Sequence, residues 1–394
     1  MTLADNRVQA AGQCLPSYDV LVVGGGVLGL WGAVEAARRG AKVLLADAGR
    51  IGQGASFGLV GALMPHMPDK WNQKKQFQFD ALVSLEHEVV ALEAATGLSA
   101  GYRRTGRLVP LPKPHLRDIA LRHSADAEAA WQVQGGRFHW HVLDRPPVDG
   151  FVAPETGACG FVFDTLAARA SPRRVTALLA AWLRQQPNVT LLEDTGVIRL
   201  DDHAGEALLS DGERVRFAHA LVASGHRAFG ALAEIVGPLE KPLGQPVKGQ
   251  SALLAADLDP AFPVLFFGGL YVIVHENGHV AIGSTSEDQF ADAFACDGQL
   301  DALIDKARSI VPALADAPVI ERWAGLRPKA IGRDPLVGPL PDHPRIIALA
   351  GGFKVSFGIA HLLAKAALAA VEGKAPDVPE SFLPESHIAL ARRP

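Results

Sequence analysis

The sequence predicts an α/β (α+β) protein: a Rossmann-type dinucleotide-binding domain joined to a discontinuous second domain built on a mainly antiparallel sheet. Three observations predict it. A short apolar run at residues 19–23 leads into Gly24, Gly26 and Gly29 in the order G-x-G-x-x-G, then a helical stretch over 28–39, a second apolar run over 42–46 and an acid, Asp47. Strand-rich, small-residue sequence returns over 189–225 and again over 345–358, on either side of a meander of apolar strands at 246–285. The chain of 394 residues is too long for a single core, which calls for at least two domains.

Each glycine of the fingerprint has its own task. Gly24 allows the tight turn off the strand, Gly26 lets the backbone approach a pyrophosphate, and Gly29 lets helix and sheet pack closely. A phosphate then meets unpaired N–H groups at a helix N-terminus, where the dipole also favours negative charge. Gly40 ends the helix, and the second strand delivers Asp47 where a carboxylate can accept hydrogen bonds from a ribose. Glycine turns alone are common, and a βαβ unit whose glycines serve only packing is the alternative. Strand, helix, second strand and acid in sequence favour the dinucleotide.

Residues 49–67 follow, crowded with Gly and Ala and including Ala55, Ser56 and Gly61. Small residues suit a backbone lying against a flat ligand, for which a flavin is the natural candidate. Helical spacing over 77–96 stops at Gly97, residues 102–111 read as a strand with an RxTGRLVPL turn, and 116–133 read as a more charged helix. Residues 151–163 look strand-like, and Ser171-Pro172 opens a helix over 173–185. Strands are expected at 189–193, 196–201, 206–209, 214–217 and 220–223, the last running into Ser224-Gly225. The meander occupies 246–254, 264–275 and 280–285, with Asn277-Gly278 as a tight turn, and a helix covers 299–311. A buried strand at 345–350, a glycine turn at 351–358 and a helix over 359–372 close the chain. The expected division is 17–68, 151–238 and 328–394 for the dinucleotide domain, with 69–150 and 239–327 for the substrate domain.

Bulk composition narrows the function. Hydrophobic residues are 48% and charged residues 20%, which gives a globular chain with ample core material. A net charge of -4 without a Lys/Arg run argues against nucleic acid. Cys14, Cys159 and Cys296 are widely spaced, which suits a reducing, cytoplasmic setting and argues against disulfide chemistry or a cysteine-bound metal. The first sixteen residues have no apolar signal-peptide core and read as a loose extension. The hydropathic stretch 20–37 is broken by its glycines, so it reads as a buried strand and helix, with no membrane span.

Several separate stretches carry a family resemblance: the fingerprint, ASFGLVGALMPH (55–66), the VASG ending at Gly225, PVKGQ (246–250), WAGLRP (323–328) and AGGFKVSFG (350–358). Together they make the chain resemble the D-amino-acid oxidase superfamily of FAD-dependent oxidoreductases, in its glycine oxidase and monomeric sarcosine oxidase branch. The missing second G-x-G-x-x-G and the missing C-x-x-x-x-C set it apart from pyridine-nucleotide disulfide reductases. The resemblance implies a Rossmann-type FAD-binding domain, with cofactor contacts at the fingerprint, Asp47, Ala55, Ser56 and Gly61. It extends those contacts to Val197, Ser224 and Gly225, and finally to Gly352, Phe353, Lys354 and Gly358.

It also implies substrate contacts. The arginine of WAGLRP, Arg327, corresponds to the one that pairs with a substrate carboxylate in glycine oxidase, and a guanidinium fork suits that task. Lys354 follows the sarcosine oxidase pattern, in which a lysine after Gly-Phe binds the same carboxylate, and departs from the arginine of glycine oxidase. Tyr271 falls at a substrate-facing tyrosine, and His66 adjoins the flavin loop. The flavin is expected to be noncovalent, since no cysteine lies near the attachment position. The oxygen-activating lysine has no counterpart, Ala281 standing in its strand, so either oxygen or an electron-transfer partner takes the electrons. The implied reaction is oxidation of the C–N bond of a small amino acid or N-substituted amino acid. Its imine is then hydrolysed to a 2-oxo acid and an amine. A 2-hydroxy acid dehydrogenase and the FAD-bearing subunit of a multisubunit amine or opine dehydrogenase are the alternatives, and homo-oligomers or heteromeric complexes fit either.

Overall fold

The computed structural model describes residues 15–393; most of the predicted N-terminal extension lies outside the described residues. Five parallel strands form the centre of the first sheet, in the order Val189–Leu192, Val43–Ala46, Ser17–Val23, Arg214–Val222 and His343–Ala350. Val20, Leu21 and Val22 have no exposed surface, because a parallel sheet is covered on both faces, and this explains why the run is apolar without alternation. Antiparallel strands Glu206–Leu209, Val197–Asp201 and Leu336–Leu340 extend the sheet.

The helices Val27–Arg38, Pro172–Arg184 and Ser356–Val371 pack on one face around Leu30, Val34, Leu179 and Leu363. Ala228–Val236 and Pro384–Ala391, neither expected from the sequence, cover the other. Arg38 and Arg39 end the first helix and Gly40 follows in the left-handed region (φ 81°).

The second sheet is antiparallel apart from one parallel pairing, Val264–Phe267 with Arg107–Pro110. Its order is Val319–Ala330, Gly244–Leu254, Val280–Gly283, Leu270–Val274, Val264–Phe267, Arg107–Pro110, Phe161–Asp164 and Trp140–Leu143. Gly298–Ile310 covers one face through Leu300, Ile304 and Ile310. Phe161–Asp164 thus belongs to this sheet, so the strand that the sequence grouped with the dinucleotide unit goes with the second one.

Other differences have local causes. The run 264–275 is two strands, because Gly268 and Gly269 take positive φ and turn the chain back. The helix expected from residue 77 starts at Gln73, since Asn72 accepts hydrogen bonds from the amides of Lys74 and Lys75 and caps it four residues earlier. The closing helix starts at Ser356, not 359. The twelve-residue strand Val319–Ala330 was not foreseen: its Gly, Pro and charged residues hide the alternation that marks a strand.

Candidate active site

A single cavity of about 1290 Å³ runs from the C-terminal ends of the parallel strands to the second sheet. Small-ligand sites usually span about 300–1,000 Å³, so the space suits an extended ligand with a second small molecule beside it.

Backbone builds one end. A Cβ on Gly24 (φ 105°) would lie 2.7 Å from Ser224 Cα, so the fingerprint turn sits directly against the end of the neighbouring strand. Gly26 caps Val27–Arg38, whose first turn carries no acid. Ser56 Oγ accepts the Val27 amide at 3.0 Å, which brings the Ala55–Phe57 turn over that helix end. Asp47 is held by two amides: Gly25 N donates to Oδ2 at 2.6 Å and Gly49 N to Oδ1 at 2.8 Å. Asp47 itself lines the cavity. Gly61 is forced by packing, since a Cβ there would fall 1.9 Å from Ala170 O. Val197, Ser224, Gly225 and Gly358 line the same space. Phe353 also lines it, in the left-handed region (φ 44°) that a non-glycine residue adopts only under strain.

Two other predicted residues stand behind the lining. Gly29 does not line the cavity; a Cβ on it would lie 1.9 Å from Gly24 O, so it holds helix to turn. Gly352 also lies outside the lining, bridged to Lys329 and backed by Ser356 Oγ, 2.4 Å from where its Cβ would be.

Side chains build the other end. Arg327 is half-buried, its Nη1 donates to Thr285 O at 3.1 Å, and among the described residues no carboxylate is within ion-pair distance of it. Desolvation pulls its pKa down to about 10, against the raising influence of Tyr271 and Glu287, so it stays charged at neutral pH. Tyr271 stacks at an angle on Phe266, with ring centroids 4.9 Å apart, and burial raises its pKa, so it remains a neutral hydroxyl. Lys354 lies at the rim, open to the cavity; desolvation by the surrounding walls, then Arg327, Arg333 and Lys329, lower its pKa. His66 also opens on the cavity, and desolvation followed by Lys75 lowers its pKa, which keeps the ring neutral. Of the acids bordering the cavity, Asp47 and Asp202 directly follow the strands Val43–Ala46 and Val197–Asp201 of the first sheet, and Glu234 lies on the helix Ala228–Val236.

The sequence missed two neighbours. Arg107 is 1% exposed yet borders the cavity, paired through Nε with Asp164, and among the described residues its Nη2 has no partner. A lone charge inside the apolar run GRLVPL was the available signal. The Trp323 indole lies against Gly58 and Gly325, whose added Cβ atoms would meet it at 3.3 and 2.4 Å. No cluster of metal-ligating side chains occurs among the described residues, and no helix there is long and apolar enough to cross a membrane.

A nucleotide cradle opening onto a cationic chamber under a second sheet defines a flavin-dependent oxidoreductase. The family model described as FAD dependent oxidoreductase (DAO) matches residues 19–366, and the chain belongs to that family. It is 30% identical over 337 residues to glycine oxidase of Pseudomonas aeruginosa, covering 82% of this chain and 86% of that one. In fold it matches the crystal structure of glycine oxidase from Geobacillus kaustophilus with a TM-score of 0.81 at 21% identity, over 93% of this chain and 98% of the other. Iminodiacetate oxidase from a Chelativorans species shares the fold with a TM-score of 0.79 at 23% identity, over 93% and 98% of the two chains. The protein is an FAD-dependent enzyme of the amino acid oxidase and dehydrogenase kind. The cavity fits FAD: Gly24 has no room for a Cβ beside the neighbouring strand, the helix Val27–Arg38 opens on the cavity with no acid in its first turn, and Asp47, its oxygens fixed by two amides, lines the same space.

Proposed function

We propose that the enzyme oxidises the C–N bond of a small amino acid or N-substituted amino acid, with Arg327 and Lys354 taking the substrate carboxylate. The carrying observation is Arg327, charged and unpaired, in the cavity whose opposite end is the nucleotide cradle. A guanidinium with free N–H groups and no protein carboxylate is a receptor for one from outside. The substrate amine then lies among Tyr271, His66 and the Trp323 face, with its Cα aligned by the clamp, which turns binding energy into orientation. Bound in the cavity, FAD supplies the two-electron acceptor. The amides opening Ser356–Val371, a turn free of acids, stabilise negative charge at that position. In this reading the first sheet and its helices form the FAD-binding unit and the second sheet the substrate unit. The flavin is noncovalent in this reading, in keeping with the absence of Cys159 and Cys296 from the cavity lining among the described residues.

One observation favours a second reading. His66, neutral and open to the cavity, is a base available to a hydroxyl proton, as a 2-hydroxy acid dehydrogenase requires. Anaerobic flavin bleaching separates the two: reduction by glycine, sarcosine or a secondary-amine dicarboxylate supports amine oxidation, and bleaching by 2-hydroxy acids alone overturns it. Slow reoxidation by air would favour a protein electron acceptor, and rapid peroxide release would favour oxygen.

A further inference from the structure

We infer that Gln250 and Glu287, on the face of the second sheet turned away from the cavity, are positioning residues for Arg327. The inference rests on the proposed role of Arg327 as partner of the substrate carboxylate. Gly244–Leu254 lies between Val319–Ala330 and the segment that continues beyond Val280–Gly283. Arg327 starts on the first of these neighbours and reaches the second, where its Nη1 meets Thr285 O. It crosses over Gly249: a Cβ there would lie 2.1–2.2 Å from the guanidinium atoms. The bare α-carbon of Gly249 is therefore the floor on which the guanidinium lies.

Side chains alternate along a strand, so Lys248 and Gln250 point to the other face. There Gln250, with no exposed surface, uses its whole amide. Its Nε2 donates to Glu287 Oε1 at 3.0 Å and to Asp297 Oδ1 at 2.9 Å, and its Oε1 accepts the Asp297 amide at 2.9 Å. Thr285 Oγ1 accepts the Gln250 amide at 2.9 Å and donates to Glu287. Lys248 Nζ stands 3.7 Å from Glu287 Oε2 and 3.3 Å from Asp297 Oδ2, and its backbone exchanges two hydrogen bonds with Glu287.

Two consequences reach Arg327. Thr285 is fixed through both its side chain and its backbone, so the carbonyl that orients the guanidinium cannot drift. Glu287 offers a compensating negative charge while its oxygens stay engaged on the far face, with the sheet between them and the cavity. The guanidinium is thereby held and kept charged with its remaining N–H groups open to a ligand. This gives the PVKGQ stretch a physical meaning: Gly249 clears the inner face and Gln250 ties the outer one.

The test uses flavin-loaded Gln250→Leu, Glu287→Gln, Arg327→Leu and the double variant Gln250→Leu/Arg327→Leu. Acetate Kd is read from perturbation of flavin absorbance, beside KM, kcat, flavin content and Tm. Gln250→Leu is expected to raise acetate Kd and substrate KM about tenfold, with kcat and flavin content within about twofold, and Glu287→Gln to shift both in the same direction. In the Arg327→Leu background the Gln250 substitution should change Kd less than about twofold, since residues acting through one group are non-additive. Additive losses in the double variant, or an unchanged Kd in Gln250→Leu, overturn the inference. Should Gln250→Leu fail to fold, the isosteric Glu287→Gln decides alone, and an unchanged Kd there overturns it. An Arg327→Leu protein that binds acetate normally instead removes the proposed function itself.

Discussion

The two ends of the cavity are made differently. The nucleotide end is backbone: Gly24, Gly26, the amides on Asp47 and the Ala55–Phe57 turn lie within a few dozen residues of one another and meet through local strand-turn-helix geometry. The substrate end is side chain: His66, Arg107, Tyr271, Arg327 and Lys354 come from separate segments and meet only because two sheets face each other. A backbone-built site has little tolerance for an added Cβ, because the ligand and the neighbouring strand claim the same space. A side-chain-built site tolerates Cβ atoms and depends on which cations lack partners.

The sharpest way to break the comparison is Gly29→Ala. Its Cβ would fall 1.9 Å from Gly24 O, so the turn must open, and the variant is expected to purify without flavin or not fold. A normal visible flavin spectrum would refute the claim that backbone space decides this end. Arg327→Leu and Lys354→Met should instead keep their flavin. Each is expected to lower kcat/KM by about 10- to 100-fold, the loss of a charge-assisted bond worth roughly 1.5–3 kcal/mol. Unchanged kinetics in both would end the clamp assignment.

A smaller effect lies in the core behind the nucleotide end. His361, buried against Trp31 with Nε2 at 2.9 Å from Ser84 Oγ, has its pKa pushed down to about 3 by desolvation. Its folded pKa is depressed, so its contribution to stability is full above the unfolded value of about 6.5 and is lost as pH falls from there toward 3. Between pH 7.5 and 5.5 this one group should remove about 1.4 kcal/mol. Denaturant titrations of His361→Gln should show a shallower acid dependence, and an unchanged slope would rule out His361 as its source. Smallest of all, Lys354 should lose its proton below its ordinary 10.5, so KM should begin to rise at a lower pH than a free lysine dictates. Lys354→Arg should move that limb upward.

The same contrast explains what could be read from the residues. The first sheet, its fingerprint and the acid Asp47 follow from short-range rules, since glycine spacing and apolar runs specify turns and buried parallel strands without reference to the rest of the chain. Arg327 and Lys354 were legible only as members of recurring stretches. Arg107 and Trp323 sit in the RxTGRLVPL and WAGLRP stretches, yet burial beside a distant segment leaves little trace in local composition to mark them as site residues. PVKGQ could be seen but not explained. Sequence by itself determined the dinucleotide unit, the existence of a second antiparallel unit and the chemical types available for a site. Only tertiary structure decided that Phe161–Asp164 joins the second sheet, that Arg327 stays unpaired, and that Gly249 lies beneath its guanidinium. Those facts depend on register between strands far apart in the chain, and a one-residue slip in register would turn every one of those side chains to the opposite face.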